Sequence, residues 1–528
     1  MDKRKYFQQI FQKNKKQFLF LEDFIFFQKK QIIKFLILLL ISAIIYSFGL
    51  SNLLKINHFY SIKEALSYPL PAPQNSSNFG LHLKRSMNLL SKSTSQNPNQ
   101  VKILFYGQSI TRGLWWKQIE EDLKKRYPYA DIEVKNLAIG GFAAQRLVLN
   151  TERDLLSFYP DLIIFHVYGD HIQYEQIILK MRTLTTADIA IQTDHYNRDS
   201  NPYQSDQGWT AFMNGRFLPK VAQRYLCELI DIRSAWRQYL IDNSYQPSKL
   251  LIDRVHLNEQ GNFLMAQLIK PYLISNDKSV DDWPERVKTY QIGQDINFKD
   301  GKLNLEFVGN RIDAIVGEGE DIKAEVLIDG KHPSEISDLY RFTRANETSS
   351  KDWPWDVAAP FLISWEKPPI DEDWTLIIED VNSIEQEEKK ELNFTFSVTG
   401  SKTGADGQGS NTEKFVSNSG RVVIEPFSWI LSSRYPSPIK SGYTLKFKSL
   451  LLGTDVYEAP TIKDNNHELT ITLAQGLKNT KHHLQLIPNK KGLVPIKAIR
   501  VYRPPLNETN IKKPLVADEV IPSSQENE

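Results

Sequence analysis

Intrachain disulfides and cysteine-rich metal sites are excluded at the outset, because the 528-residue chain has a single cysteine, Cys227. A chain of this length can fold without them, even if exported, since its core can be large. Charge imbalance is also missing. The 65 Lys and Arg stand against 63 Asp and Glu, and a net charge of +2 leaves no global footprint of a nucleic-acid partner. Low-complexity composition is missing too: 41% hydrophobic and 24% charged is the balance of a globular protein. The histidines His166, His171, His195, His256, His482 and His483 form no recognisable ligand spacing, so a metal is disfavoured.

One long apolar run is present. From Phe35 to Leu54 no residue is charged, and Lys34 and Lys55 bracket the run. Twenty residues at about 1.5 Å rise span about 30 Å, the thickness of bilayer hydrocarbon. Residues 1–34 carry nine Lys and Arg against three Asp and Glu. The positive-inside rule then predicts a cytoplasmic basic segment over 1–34 and a transmembrane helix over 35–54. All later residues would be extracytoplasmic, giving a single-pass membrane protein. A cleaved signal peptide with a small-x-small site at Ser47–Gly49 is the rival; the long n-region and long run favour the anchor.

Residues 55–100, with "YPLPAPQNSSN" and "SKSTSQNPNQ", read as a linker. Over 101–275, strand-like runs ("VKILFYG", "ADIEVKNLAI", "PDLIIFHVYG", "ADIAIQT") alternate with helix-like ones. That alternation predicts an α/β three-layer sandwich with a parallel sheet. Over 284–503 the pattern changes to short alternating strands with turn signals, predicting an all-β sandwich; 400–413, "GSKTGADGQGSNTE", reads as a polar loop. The tail, 504–528, reads as disordered. Trp353, Trp355, Trp365, Trp374 and Trp429 fall in the β region, where they either pack the core or stack on sugar rings.

The chemistry starts at "KILFYGQSITRGLWW", Lys102 to Trp116. A strand followed by Gly-x-Ser places Ser109 at the carboxyl edge of the sheet, where α/β folds bind ligands. Ser109 is either a nucleophile or the cap of the following helix. The Gly-x-Ser-x-Gly elbow is missing, because Thr111 stands at the last glycine. A nucleophilic serine needs a base and the base an orienting acid. "LLIDRVHLNEQG" offers Asp253 and His256, three apart, just before the closing helix. Between the two motifs, "NLAIGGFAAQ" supplies Asn136, Gly140 and Gly141 after the second strand.

This order of motifs resembles the SGNH, or GDSL-like, hydrolase superfamily over residues 101–275. The resemblance implies ester hydrolysis through an acyl-enzyme, with Ser109 as nucleophile, His256 as base and Asp253 as its orienter, and with no metal or organic cofactor. It also implies an oxyanion hole from the N–H groups of Ser109 and Gly141. Gln108 replaces the usual aspartate of Gly-Asp-Ser, as in some carbohydrate esterases with this fold. The family's Gly-x-Asn-Asp block corresponds to "VYGDH", with Gly169 where asparagine belongs and Asp170 in register. The Gly169 N–H, His166 or His171 are the alternatives for the missing donor, and Gln108, Asp170 and His171 would support the site. The β region is similar to jelly-roll accessory domains that flank some sugar esterases. The expected function is a membrane-anchored esterase removing acetyl or other short acyl groups from a glycan or small ester. The alternatives are an inactive glycan-binding scaffold and an O-acyltransferase.

Overall fold

The computed structural model describes residues 68–279, 285–318, 322–346, 356–386, 389–434, 439–460, 468–507, 509–511 and 515. The run Phe35–Leu54, the basic segment before it, Trp353 and Trp355 lie outside the described residues. Among the described residues no helix is long and apolar enough to cross a membrane.

Five strands, β1 (Gln100–Gly107), β2 (Asp131–Asn136), β3 (Leu162–His166), β4 (Asp188–Gln192) and β5 (Glu228–Ile230), form a sheet in the order β2-β1-β3-β4-β5. Every neighbouring pair is parallel. All positions of β3 and β4 are buried, as continuous apolar strands require when helices cover both faces. Strand alternation splits the core: Ile103, Phe105 and Ile164 pack to one side, Leu104, Tyr106, Ile163 and Phe165 to the other. The helices are α1 (Lys84–Ser91), α2 (Trp115–Arg126), α3 (Ala144–Phe158), α4 (His171–Leu184), α5 (Gly208–Phe212), α6 (Leu218–Tyr225), α7 (Ile232–Asp242) and α8 (Glu259–Ile269). Residues of α1, α2, α7 and α8 join the first cluster; those of α3, α4, α5 and α6 join the second. Strand order reverses between β1 and β3, so a crevice opens at their carboxyl ends.

Three expectations change. The linker over 55–100 ends in structure: Phe79, Leu83, Met87 and Leu90, at helical spacing, are buried in the first cluster. The N–H groups of Gly80 and His82 donate to the Glu228 carboxylate at 2.8 and 3.0 Å. Pro, Ser and Asn had masked that apolar stripe. The glycine-rich stretch expected as a loop contains an edge strand, Gly404–Ser410, paired with Lys389–Gly400. A Cβ at Gly409 would sit 2.5 Å from the Phe415 ring, so glycine there permits close packing. The tail begins docked, with Pro504 and Pro505 buried. The Leu506 N–H donates to the Arg182 carbonyl and the Leu515 N–H to the Glu175 carboxylate.

The rest is antiparallel, as the strand pattern predicts. A seven-stranded sheet is built around Lys302–Val316 and Thr470–Pro488, and a five-stranded sheet around Glu372–Gln386 and Lys389–Gly400. Their apolar residues form separate clusters. Trp374 and Trp429 are buried, and Trp365 packs on Phe342; these three tryptophans serve the core rather than a sugar face.

Candidate active site

β1 ends at Gly107, whose φ of 154° and whose would-be Cβ, 1.9 Å from the His166 carbonyl oxygen, both require glycine. The chain then turns through Gln108–Leu114 before α2 starts at Trp115. Ser109 is therefore not the cap of that helix. The Trp115 N–H donates to the Asn262 side chain instead, at 3.2 Å. The amides around Ser109 belong to a turn, not to a helix N-terminus.

The second half of the site is a short turn entering α8. A bridge between Leu251 and Leu257 closes it, and the Ile252 N–H donates to the His256 carbonyl at 2.8 Å. Asn258 caps α8 by accepting from the Gly261 N–H. Within the turn, Asp253 Oδ1 accepts the backbone N–H groups of Val255 and His256, both at 2.8 Å. Its other oxygen, Oδ2, lies 2.7 Å from His256 Nδ1. A carboxylate only accepts, so Nδ1 carries the hydrogen and Nε2 presents its lone pair. That lone pair faces Ser109 Oγ at 2.8 Å. Slight burial opposes ionisation of Asp253, but the two backbone N–H groups and His256 prevail and hold its pKa down at about 2. Asp253 is thus ionised throughout the working range, and its hold on His256 is lost only as pH falls through about 2.

The turn is braced from behind by His195, whose Nε2 donates to the Val255 carbonyl at 2.8 Å. Burial, reinforced by His166, pushes the His195 pKa down to about 4. It stays neutral, a fixed donor.

Gln108 lies against Ser109. Its Oε1 accepts from the Ile110 N–H at 3.0 Å and lies 2.9 Å from Ser109 Oγ, whose single hydrogen faces His256 Nε2. Its amide nitrogen faces His166 Nδ1 at 3.4 Å, and His166 Nε2 bonds Asp194 Oδ1 at 2.9 Å. Asn214 bonds both the backbone and the carboxylate of Asp194. Partial burial opposes ionisation of Asp194, yet the His166 and Asn214 bonds pull its pKa down. A second His–carboxylate pair therefore sits beside Gln108, next to Ser109, and Asp194 and Asn214 have no motif that marks them. The available signal was position: His166 ends β3, and Asp194 follows β4 by two residues.

Gly141, with φ of 74°, lies in the loop after β2. The Ile139 N–H of that loop donates to the Gly107 carbonyl at 3.0 Å, which sets the loop beside the turn that carries Ser109. The Gly169 loop adjoins it, through the Ala144 N–H to the Tyr168 carbonyl at 2.9 Å. The expected roles of Asp170 and His171 do not hold. Asp170 caps α4 by accepting the Ile172 and Gln173 N–H groups. His171 is buried against the rings of Trp209, Phe212 and Phe217. Gly169 has φ of 112°, and a Cβ there would lie 2.5 Å from Gln145 Oε1 and 2.8 Å from the Ala143 Cβ. Installing an asparagine here, as Gly169→Asn, is accordingly expected to destabilise the protein by about 1–3 kcal/mol and to give no gain in rate. A faster variant with an unchanged melting temperature would contradict this.

No protein-family model and no curated protein matches the chain. Solved structures do. One is a two-domain esterase active on acetylated mannans, 15% identical, covering 81% of this chain and 97% of its own, with a TM-score of 0.33. Another is an acetyl xylan esterase, 24% identical, covering 32% of this chain and 98% of its own, with a TM-score of 0.28. A third is an acetylxylan esterase from Geobacillus stearothermophilus, 18% identical, covering 36% of this chain and 100% of its own, with a TM-score of 0.30.

Proposed function

We propose that this protein is a serine esterase that removes acetyl or other short acyl groups from a glycan. The observation that carries the reading is the Asp253–His256–Ser109 chain, joined at 2.7 and 2.8 Å with the tautomer a general base requires. In this mechanism His256 Nε2 takes the Ser109 hydroxyl proton as Oγ attacks the ester carbonyl. The N–H groups of Ser109 and Gly141 stabilise the tetrahedral oxyanion. The imidazolium then gives its proton to the departing sugar oxygen, leaving an acyl-serine. Water, deprotonated by the same nitrogen, releases the carboxylic acid and restores Ser109.

The substrate class rests on two features. Gly107-Gln108-Ser109 is the variant of the nucleophile motif that the sequence shares with carbohydrate esterases. The base and acid stand at the surface, with His256 43% and Asp253 54% exposed as side chains, which suits an acyl group carried on a large polymer. Acetylated mannans and xylans are the first substrates to try. The test is a fluorophosphonate on the folded protein, with peptide mapping. We expect one adduct, on Ser109, and acetate release from an acetylated polysaccharide. A folded protein that takes up no label would return the chain to the binding-scaffold reading.

We also propose that Phe35–Leu54 anchors the chain with its catalytic part outside the cytoplasm, on the charge-free length of the run and the basic segment before it. The full chain should stay with membranes through an alkaline carbonate wash. Its release into the supernatant would refute the anchor.

A further inference from the structure

We propose that the antiparallel region is a working part of the active site, in which Arg344 and Phe361 act as positioning residues for the loop that carries Gly141. The proposal rests on the esterase reading above, and in particular on the Gly141 N–H as oxyanion donor.

The loop Leu137–Phe142 is fastened on two sides. On the inner side it is stitched to the nucleophile strand and turn. The N–H groups of Leu137 and Ile139 donate to the carbonyls of Phe105 and Gly107, both at 3.0 Å. The Asn136 side chain, just before the loop, donates to the Thr111 carbonyl at 2.8 Å. On the outer side the partners come from a different part of the chain. Arg344 Nη2 donates to the Leu137 carbonyl at 3.0 Å. The same guanidinium pairs with Asp154 on α3 at 2.7 Å, and both side chains are almost wholly buried. Asp154 also accepts from Arg153 at 3.0 Å and from the Tyr106 hydroxyl at 3.2 Å. Arg344 therefore bears on the Gly141 loop directly and, through Asp154, on the end of β1 three residues before Ser109. Phe361 holds the other end of the loop. Its ring meets the Phe142 ring edge-to-face at 5.0 Å and 87°, and its carbonyl accepts from Arg153 Nη1 at 2.6 Å.

Gly141 thus lies between two residues, Leu137 and Phe142, that the antiparallel region grips. Its φ of 74° belongs to the turn that the Phe142 N–H closes on the Ile139 carbonyl at 3.2 Å, so the aim of the Gly141 N–H follows the seating of that turn. An oxyanion donor contributes only when it is aimed before charge develops. A displacement of about 1 Å in such a site costs on the order of a hundredfold in rate. Without Arg344 the Leu137 carbonyl loses a buried donor and Asp154 one of its two cations. Without the Phe361 ring, Phe142 has space to move into. Either change should loosen the donor without touching substrate in the ground state.

The experiment uses the full chain with p-nitrophenyl acetate and a fluorophosphonate. Variants are Arg344→Met, Phe361→Ala and the conservative Phe361→Leu, with Trp374→Phe in the five-stranded sheet as a control that loses its bond to Ser449. We expect kcat and the labelling rate to fall roughly 10- to 100-fold in Arg344→Met and Phe361→Ala. KM should stay within about twofold, Phe361→Leu should recover most of the rate, and Trp374→Phe should keep full kcat. If Arg344→Met fails to fold, the Phe361 pair still decides. Unchanged kcat in the folded variants overturns the proposal, as does an equal fall in the Trp374→Phe control. A wild-type chain that neither hydrolyses nor labels overturns the esterase reading, and this proposal with it.

Discussion

Ser109→Ala is expected to cut kcat for acetyl ester hydrolysis by roughly 10⁵- to 10⁶-fold, with little change in melting temperature. Among the described residues Ser109 Oγ is the hydroxyl that bonds His256 Nε2, and no other takes its place. The surroundings survive the change. Gln108 Oε1 keeps the Ile110 N–H, and His256 stays tied to Asp253. His256→Ala should lose about as much, because an unactivated serine hydroxyl is a poor nucleophile. The double variant should be no slower than either single one, since nucleophile and base act as a unit. Steady-state rates on p-nitrophenyl acetate and thermal melts of the three variants check this. A Ser109→Ala rate within tenfold of wild type would place hydrolysis elsewhere on the molecule.

The parts of this site that could be read from sequence are those set by local pattern. "VKILFYG" and "PDLIIFHVYG" are apolar enough that only a strand buried on both faces accommodates them, and they are β1 and β3. Asp253 and His256 share one turn, so their contact needs no tertiary fold to predict it. Contacts between distant segments were not legible. The apolar residues of α1 were diluted by Ser and Asn, and their burial depends on docking against β4 and β5 residues more than a hundred positions away. The His166–Asp194 pair depends on β3 and β4 being neighbours in the sheet. Asp170 and His171 show the opposite failure. Motif alignment put them at the site, whereas the start of α4 uses the carboxylate as its cap and the aromatic cluster takes up the imidazole. The helices α3 and α7 carried no clear sequence expectation. The grip of Arg344 and Phe361 on the Gly141 loop crosses about two hundred residues, and nothing local marks it.

The second large effect concerns Asp253, and its sign is unusual: Asp253→Asn should be slower than Asp253→Ala. In the turn, Oδ1 is claimed by two backbone donors, the N–H groups of Val255 and His256. An asparagine at this position must direct its carbonyl oxygen at those donors, because an NH₂ group facing two N–H groups would satisfy none of them. Its NH₂ then faces His256 Nδ1. The imidazole answers with the tautomer that accepts at Nδ1 and carries hydrogen on Nε2, so it cannot take the Ser109 proton. A wrong tautomer of this kind costs roughly 10⁴-fold in kcat. Alanine imposes no tautomer. The position is open to solvent, with the Asp253 side chain 54% exposed, so water can accept from Nδ1–H and leave Nε2 free as the base. The alanine variant should therefore lose orientation but not the base itself, and run at least about tenfold faster than the asparagine variant. The two rates, measured on one ester at neutral pH with matched melting temperatures, decide it. Equal rates would mean that Asp253 acts through its charge rather than by fixing the tautomer.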